Sequence, residues 1–146
     1  MMFVPPYSLI KQHIKTVDDN ADGSEQLCVP RHLFEFLLRC LLETADFDED
    51  QYQRCNPDVA EAVQHRTFAS GRDHFIQIGY FEDRTGGIPV NERWYLARNP
   101  DVAAAKQEKS IESGEAQYRL AGASEWREPN PEATPYVRAW KDALLR

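Results

Sequence analysis

The sequence predicts an all-α protein, a small helical domain built on two tandem repeats with a core helix before them and an amphipathic helix after them. Three observations predict it. Residues 47–84 recur as residues 90–127 at a constant offset of 43, without a gap. Each copy contains Asn-Pro-Asp followed by small apolar residues, the signature of a helix start. Residues 29–45, VPRHLFEFLLRCLLETA, are apolar around most of a helical circumference, the pattern of a central helix.

The duplication is dense enough to define a repeat framework. Identical pairs are Glu49/Glu92, Tyr52/Tyr95, Asn56/Asn99, Pro57/Pro100, Asp58/Asp101, Val59/Val102, Ala60/Ala103, Ala62/Ala105, Gln64/Gln107, Ser70/Ser113, Gly71/Gly114, Gly79/Gly122, Glu82/Glu125 and Arg84/Arg127. Asp48 precedes the first short helix and is expected to cap it, with Gln51 completing a capping box. Asn56 and Asn99 are read as N-caps, Pro57 and Pro100 as first helical residues, and Asp58 and Asp101 as acids complementing the helix dipole. Ser70 and Ser113 are expected to cap a third helix. That helix carries Phe75, Ile76 and Ile78 in one copy and Tyr118 and Leu120 in the other. The stretch from Phe75 to Phe81 also reads as a strand by its aromatic and β-branched content. Its counterpart, from Ala116 to Ala123, reads as helix, and helix is assigned to both. Gly79 and Gly122 are placed at the C′ position, where φ > 0 favours glycine. Each unit closes on Glu-x-Arg, ending at Arg84 or Arg127.

This combination, aromatic-Tyr/Leu-x-x-Asn-Pro-Asp-Val-Ala, then Gly/Ser before an aromatic, then Gly-x-x-Glu-x-Arg, resembles the NPDVA-type repeats that occur in tandem in bacterial proteins. The resemblance extends from Phe47 to Arg127. The second copy departs from it at Gln117, where the first keeps His74. Such repeats accompany polysaccharide-type glycosyltransferases and some haemolysin-type calcium-binding surface proteins. The resemblance therefore implies a repeat module working beside a bacterial polysaccharide synthase or glycosyltransferase, and it implies no activity of its own.

Outside the repeats, residues 1–28 are expected to form an N-terminal arm and an acidic loop. Leu9, Ile10, Ile14 and Val17 give that arm the pattern of a short amphipathic helix. Residues 29–127 are taken as the repeat domain, with the 29–45 helix as its core and an oligomer interface as the other reading. Residues 128–146 hold a proline-rich linker and a helix whose Tyr136, Trp140 and Leu144 recur every four positions.

Composition limits the partners. The 146 residues carry 17 Lys+Arg and 24 Asp+Glu, a net charge of −7, so no nucleic-acid partner is expected. Apolar residues at 42% and aromatics at 11% suit a folded domain. No apolar run reaches the roughly 18 residues that a membrane-spanning helix needs. Met1-Met2-Phe3-Val4-Pro5-Pro6 lacks the basic and apolar regions of a secretory signal, which predicts a cytoplasmic protein. Cys28, Cys40 and Cys55 form no CxxC pair and are expected as reduced thiols.

No catalytic, cofactor or metal residue is assigned. His13, His32, His65 and His74 show no ligand spacing, and no Lys-Ser/Thr follows Gly86-Gly87 as a phosphate loop requires. The expected function is a non-catalytic protein-interaction module, an adaptor or assembly factor that binds a protein partner or itself. Trp94, Trp140 and Tyr136 are the expected partner-binding residues. Trp94 aligns with polar Gln51, so the framework does not demand an aromatic there. A regulatory or ligand-binding module is the alternative, with a pocket between the repeats lined by Tyr52, Trp94, Tyr95 and Trp126.

Asp18, Asn20, Asp22 and Gly23 match positions 1, 3, 5 and 6 of an EF-hand loop. Position 12, which must supply a bidentate carboxylate, is Val29, and position 8 is Glu25. A solvated acidic turn is the assigned reading. Titration calorimetry is expected to find calcium affinity no tighter than about millimolar. Micromolar binding that disappears in Asp18→Ala would reverse the assignment.

Overall fold

The computed structural model describes residues 5–17, 26–84 and 86–145. The chain is mostly helical and divides into two compact units, Met1–Ala45 and Asp46–Arg146. Among the described residues, no helix is long and apolar enough to cross a membrane.

The first unit contains α1 (Tyr7–Lys11), β1 (Lys15–Val17), β2 (Gln26–Cys28) and α2 (Arg31–Leu42). The two strands pair antiparallel, with Lys15 opposite Cys28, Thr16 opposite Leu27 and Val17 opposite Gln26. This ladder replaces the later half of the expected helical arm, and Thr16, Val17 and Leu27 suit a strand. The acidic loop from Asp18 to Gly23 lies outside the described residues.

α2 corrects the expectation of a core helix. None of its residues is buried, and Phe34, Phe36, Leu37 and Leu41 are exposed. The division at Ala45 also assigns it to the first unit and the repeats to the second. A helix apolar nearly all round needs neighbours on every side. Among the described residues its own unit offers it a five-residue helix and two three-residue strands. Pro30 stands at its N-cap position.

The second unit runs α3 (Glu49–Cys55), α4 (Pro57–Gln64), α5 (Gly71–Gln77) and a 3-10 turn at Gly79–Glu82. It then runs α6 (Glu92–Arg98), α7 (Pro100–Gln107), α8 (Gly114–Gln117) and a π turn at Tyr118–Gly122. α9 (Thr134–Leu144) follows.

The first helix of each copy carries a tyrosine that is 0% exposed, Tyr52 in α3 and Tyr95 in α6. Phe47 and Phe75 pack on Tyr52 with ring centroids 5.2 and 5.3 Å away. Tyr118 meets Tyr95 edge-on at 5.7 Å, and Val102 completes that core with Val90, Leu96 and Ile111 around it.

The third helices start as the sequence predicts. Ser70 accepts the Asp73 N–H and Ser113 the Ala116 N–H, both at 3.0 Å. The two preceding amides are satisfied from another helix. Glu49 accepts the N–H groups of Gly71 and Arg72, and Glu92 those of Gly114 and Glu115. A carboxylate from the first helix thus completes the cap of the third, which balances both orphan donors and the helix dipole. Gly71 and Gly114 permit the approach: a Cβ would lie 2.9 Å from Glu49 Oε1 and 3.0 Å from Glu92 Oε2.

Asp48 caps α3 through the Gln51 N–H at 2.9 Å. Gln51 does not return the capping-box bond, because Gly87 takes both roles. Gly87 O accepts the Asp48 N–H, and Gly87 N–H donates to Gln51 Oε1. In the second copy Asn91 caps α6, and its own N–H donates to Pro129 O.

The asparagines are corrected in part. Asn56 and Asn99 occupy the N-cap positions of α4 and α7, but neither side chain caps. Each Nδ2 turns back to the preceding helix, Asn56 to Tyr52 O at 2.9 Å and Asn99 to Tyr95 O at 2.8 Å. Pro57 and Pro100 have no N–H to satisfy, and the Val59 and Val102 N–H groups donate to Asn56 O and Asn99 O at 3.0 Å. The asparagines are left to close the corner between two helices.

Gly79 and Gly122 are also corrected. Neither has positive φ; among the described residues the non-glycine left-handed positions are Arg66 (60°), Asp83 (54°), Lys109 (58°) and Trp126 (60°). At each of these the next residue's N–H reaches back five residues, as Arg84 N–H does to Gly79 O, which is the Schellman arrangement. Glycine is needed at 79 and 122 for space. A Cβ there would collide with Tyr52 Oη or Tyr95 Oη.

Gly79→Ala is therefore expected to cost about 1–3 kcal/mol by overpacking. Tyr52→Phe should relieve part of that cost in a double-mutant cycle. Lys109→Gly, which removes a left-handed lysine, should stabilise by roughly 1 kcal/mol. Urea denaturation of the four variants checks both signs, and a neutral Gly79→Ala would reject the steric account.

Candidate functional site

The arginine that ends each repeat folds back onto the aspartate of its Asn-Pro-Asp. Arg84 Nη1 donates to both Asp58 oxygens at 3.0 and 2.7 Å, and Arg84 Nε to Glu82 at 3.0 Å. Arg127 grips Asp101 with Nη1 and Nη2 at 3.0 and 2.8 Å, Glu125 with Nε at 2.6 Å, and Asn99 Oδ1 at 2.9 Å. The hydrogen bonds from Arg84 and Arg127 hold the Asp58 and Asp101 carboxyls below the usual carboxylate range. The same bonds raise both guanidinium groups. Twelve framework residues singled out by the repeat (Tyr52, Asn56, Pro57, Asp58, Gly79 and Arg84, with Tyr95, Asn99, Pro100, Asp101, Gly122 and Arg127) thus form two equivalent contact sets. Glu49 and Glu92 belong to the same sets. Their identity in both copies signalled a role, but only the fold reveals which amides they cap.

Burial pushes the phenols of Tyr52 and Tyr95 up to about 12, so both stay protonated. Tyr95 Oη donates to Gln117 Oε1 at 2.5 Å, and Tyr52 Oη lies 3.0 Å from His74 Nδ1. Two fully buried tyrosines cannot line an open pocket, which corrects the expected wall of Tyr52, Trp94, Tyr95 and Trp126. Trp126 instead borders a polar cleft of about 200 Å³, with Arg98, Asn99, Arg127 and Glu128. Glu128 holds this corner together: it accepts from Arg98 at 3.5 Å, Arg138 at 3.1 Å and the Thr134 hydroxyl at 3.2 Å.

The expected partner-binding residues fall in two places. Trp94 is half-buried on α6, with the Arg98 guanidinium 5.6 Å from its ring centroid, a cation–π distance. Tyr136 and Trp140 are 70% and 45% exposed on α9, and Leu144 continues their face at 61%. Arg138 and Asn130 anchor this helix and its linker: Arg138 to Glu128, Asn130 Nδ2 to Pro89 O at 2.7 Å.

The remaining titratable groups are dispersed. Cys28 and Cys55 are exposed and Cys40 is half-buried, all as free thiols. Cys55 accepts from Arg119 Nη1 at 3.2 Å, and Arg119 also pairs with Glu115, so this arginine joins the two repeats. His13 and His32 line a cavity of about 330 Å³ in the first unit with Leu9, Ile10 and Leu33. Among the described residues no His, Cys, Asp and Glu side chains gather in a metal-binding group.

Comparison of the chain with protein-family models, with curated proteins and with solved structures returned no match.

Burial by itself would raise the Glu92 carboxyl. The Lys106 ammonium at 2.6 Å and the Gly114 and Glu115 amides outweigh it and hold the group below its ordinary value of 4.5. A lowered native pKa contributes stability that is complete above the unfolded value and is lost as pH falls through the native one. Glu92→Ala is expected to cost about 1 kcal/mol near neutrality through the lost cap. It should also flatten the fall of stability below about pH 4.5. Denaturation between neutral and acid pH checks both. An unchanged acid branch would show that Glu92 does not carry it.

Proposed function

We propose that this chain is a non-catalytic protein-interaction module, an adaptor or assembly factor whose repeats form a rigid frame and whose α9 presents the contact face. One observation carries the reading. Tyr136, Trp140 and Leu144 lie one helical turn apart on α9 and remain exposed, although α9 is tied to the repeat unit through Glu128. An aromatic stripe at this spacing, on an anchored helix, suits insertion into a groove or pairing with another helix. Trp and Tyr are the side chains that most often dominate such contacts.

The NPDVA-type resemblance suggests the partner class, a bacterial polysaccharide synthase or glycosyltransferase acting in the cytoplasm. Self-association through the same face is the other form of this proposal. A second reading, a small-ligand module, draws support from the polar cleft beside Trp126. A thermal-shift screen on wild type and Trp126→Ala separates it from the first.

Trp140→Ala is expected to weaken association by about 2 kcal/mol or more, the scale of an interface anchor. Its melting temperature should stay close to wild type, because Trp140 is 45% exposed. Trp94→Ala should lower melting as well, since its half-buried ring loses packing. Sedimentation velocity reads self-association, and binding to a co-expressed candidate synthase reads the heterologous case. A large melting loss in Trp140→Ala with association intact would refute the proposal.

A further inference from the structure

We infer that the first repeat contains an acid-sensitive latch that the second repeat lacks: neutral His74 closes the first, and Gln117 stands at the same position in the second. His74 lies on α5, 6% exposed, with Nδ1 3.0 Å from Tyr52 Oη. Phe68 packs edge-on at 4.8 Å against this buried ring, so it has little room to turn away. The equivalent bond in the second repeat runs from Tyr95 Oη to Gln117 Oε1. Nδ1 is thus placed to accept the phenol proton, a role that the neutral imidazole fills and the imidazolium cannot.

The charged surroundings add to this. The Tyr52 phenol faces His74 from α3, Asp58 from α4, Asp73 from α5 itself, Glu82 from the 3-10 turn, and Arg84 from the segment after it. Arg84 already engages Asp58 and Glu82, at 2.7 and 3.0 Å. Burial first, and then the Arg84 cation, outweigh the three carboxylates and hold His74 below the ordinary histidine value of 6.5. In the unfolded chain His74 takes up its proton near that value. Stability from the neutral contact is therefore complete above pH 6.5 and is lost as pH falls toward the native pKa. One unit below 6.5, opening of the first repeat should rise by up to about tenfold. Gln117 does not titrate, so the second repeat should keep its protection.

Hydrogen exchange on the full chain, corrected for intrinsic rates, tests this at about pH 7.5 and about pH 5.5. Amides of α3 to α5 are expected to lose several-fold to about tenfold protection, while those of α6 to α8 change by less than about twofold. His74→Gln should abolish the difference, Gln117→His should move it to the second repeat, and His65→Gln should leave it in place. Equal loss in both repeats, or full acid sensitivity in His74→Gln, would overturn the inference. Should His74→Gln fail to fold, NMR titration of His74 in the wild-type chain decides. A midpoint below 6.5 supports the latch, and one at or above 6.5 rejects it.

Discussion

A buried phenol must find a hydrogen-bond partner, and each repeat of this protein is arranged around one. Tyr52 and Tyr95 have no exposed surface, and an unmade bond at such a hydroxyl would cost roughly 1–3 kcal/mol. The partner comes from the third helix, His74 or Gln117, so that helix must lie close beneath the first. Close approach excludes a Cβ in two places. At Gly71 and Gly114 it would meet the tyrosine ring, and at Gly79 and Gly122 the hydroxyl. With the helix start brought so near, the Glu49 and Glu92 carboxylates reach its first amides. Tyrosine, glutamate and both glycines are identical in the two copies because they answer one packing problem.

The arginine clamps act differently. Asp58 and Asp101 are exposed, so neither ion pair adds much stability as a surface contact. Their geometry is what matters. Arg127 presents two nitrogens to two oxygens of Asp101 and its Nε to Glu125, an arrangement that only one placement of the tail allows. The clamp fixes where the chain leaves the repeat. From there Gly87 returns to accept from Asp48 and Pro129 to accept from Asn91. Each repeat is thus closed by backbone that lies just beyond its own Glu-x-Arg.

The features legible in the sequence were those decided by neighbours along the chain. Ser70, Ser113 and Asp48 cap as expected because an N-cap bond spans three residues. The helical class follows from the same local signals. The misreadings came where a distant group decided. Gly79 reads as a C′ glycine, but the cause of its selection is Tyr52, far back in the sequence. Asn56 reads as an N-cap, but its amide turns back to Tyr52 O. α2 reads as a core helix because periodicity reports which residues are apolar and not whether anything covers them. For the same reason the aromatic face of α9 was legible, and the burial of the tyrosines expected to line a pocket was not.

The duplication also separates what the fold requires from what it permits. Where the copies agree at tyrosine, glutamate, asparagine, aspartate, glycine and arginine, the residue has a partner in the repeat itself. Where they differ within one backbone geometry, the fold tolerates either residue and another pressure can choose. Position 83/126 is such a case. Both residues occupy the left-handed region, at 54° and 60°, and both sit inside the same Schellman bonding pattern. Asp83 adopts that conformation at modest cost, since short polar side chains visit it readily. Trp126 has no such ease and is held there by the bonds on either side, including Arg127 N–H to Gly122 O at 2.9 Å. Its cleft neighbours Arg98 and Glu128 also depart from the first copy, which has Cys55 and Thr85 at those offsets. Three departures from the first copy, Arg98, Trp126 and Glu128, therefore meet at one corner of the second repeat, the corner that Glu128 ties to α9. The shared frame fixes the position of that corner, and the unshared residues give it the polar cleft and the anchored aromatic helix on which the interaction proposal rests.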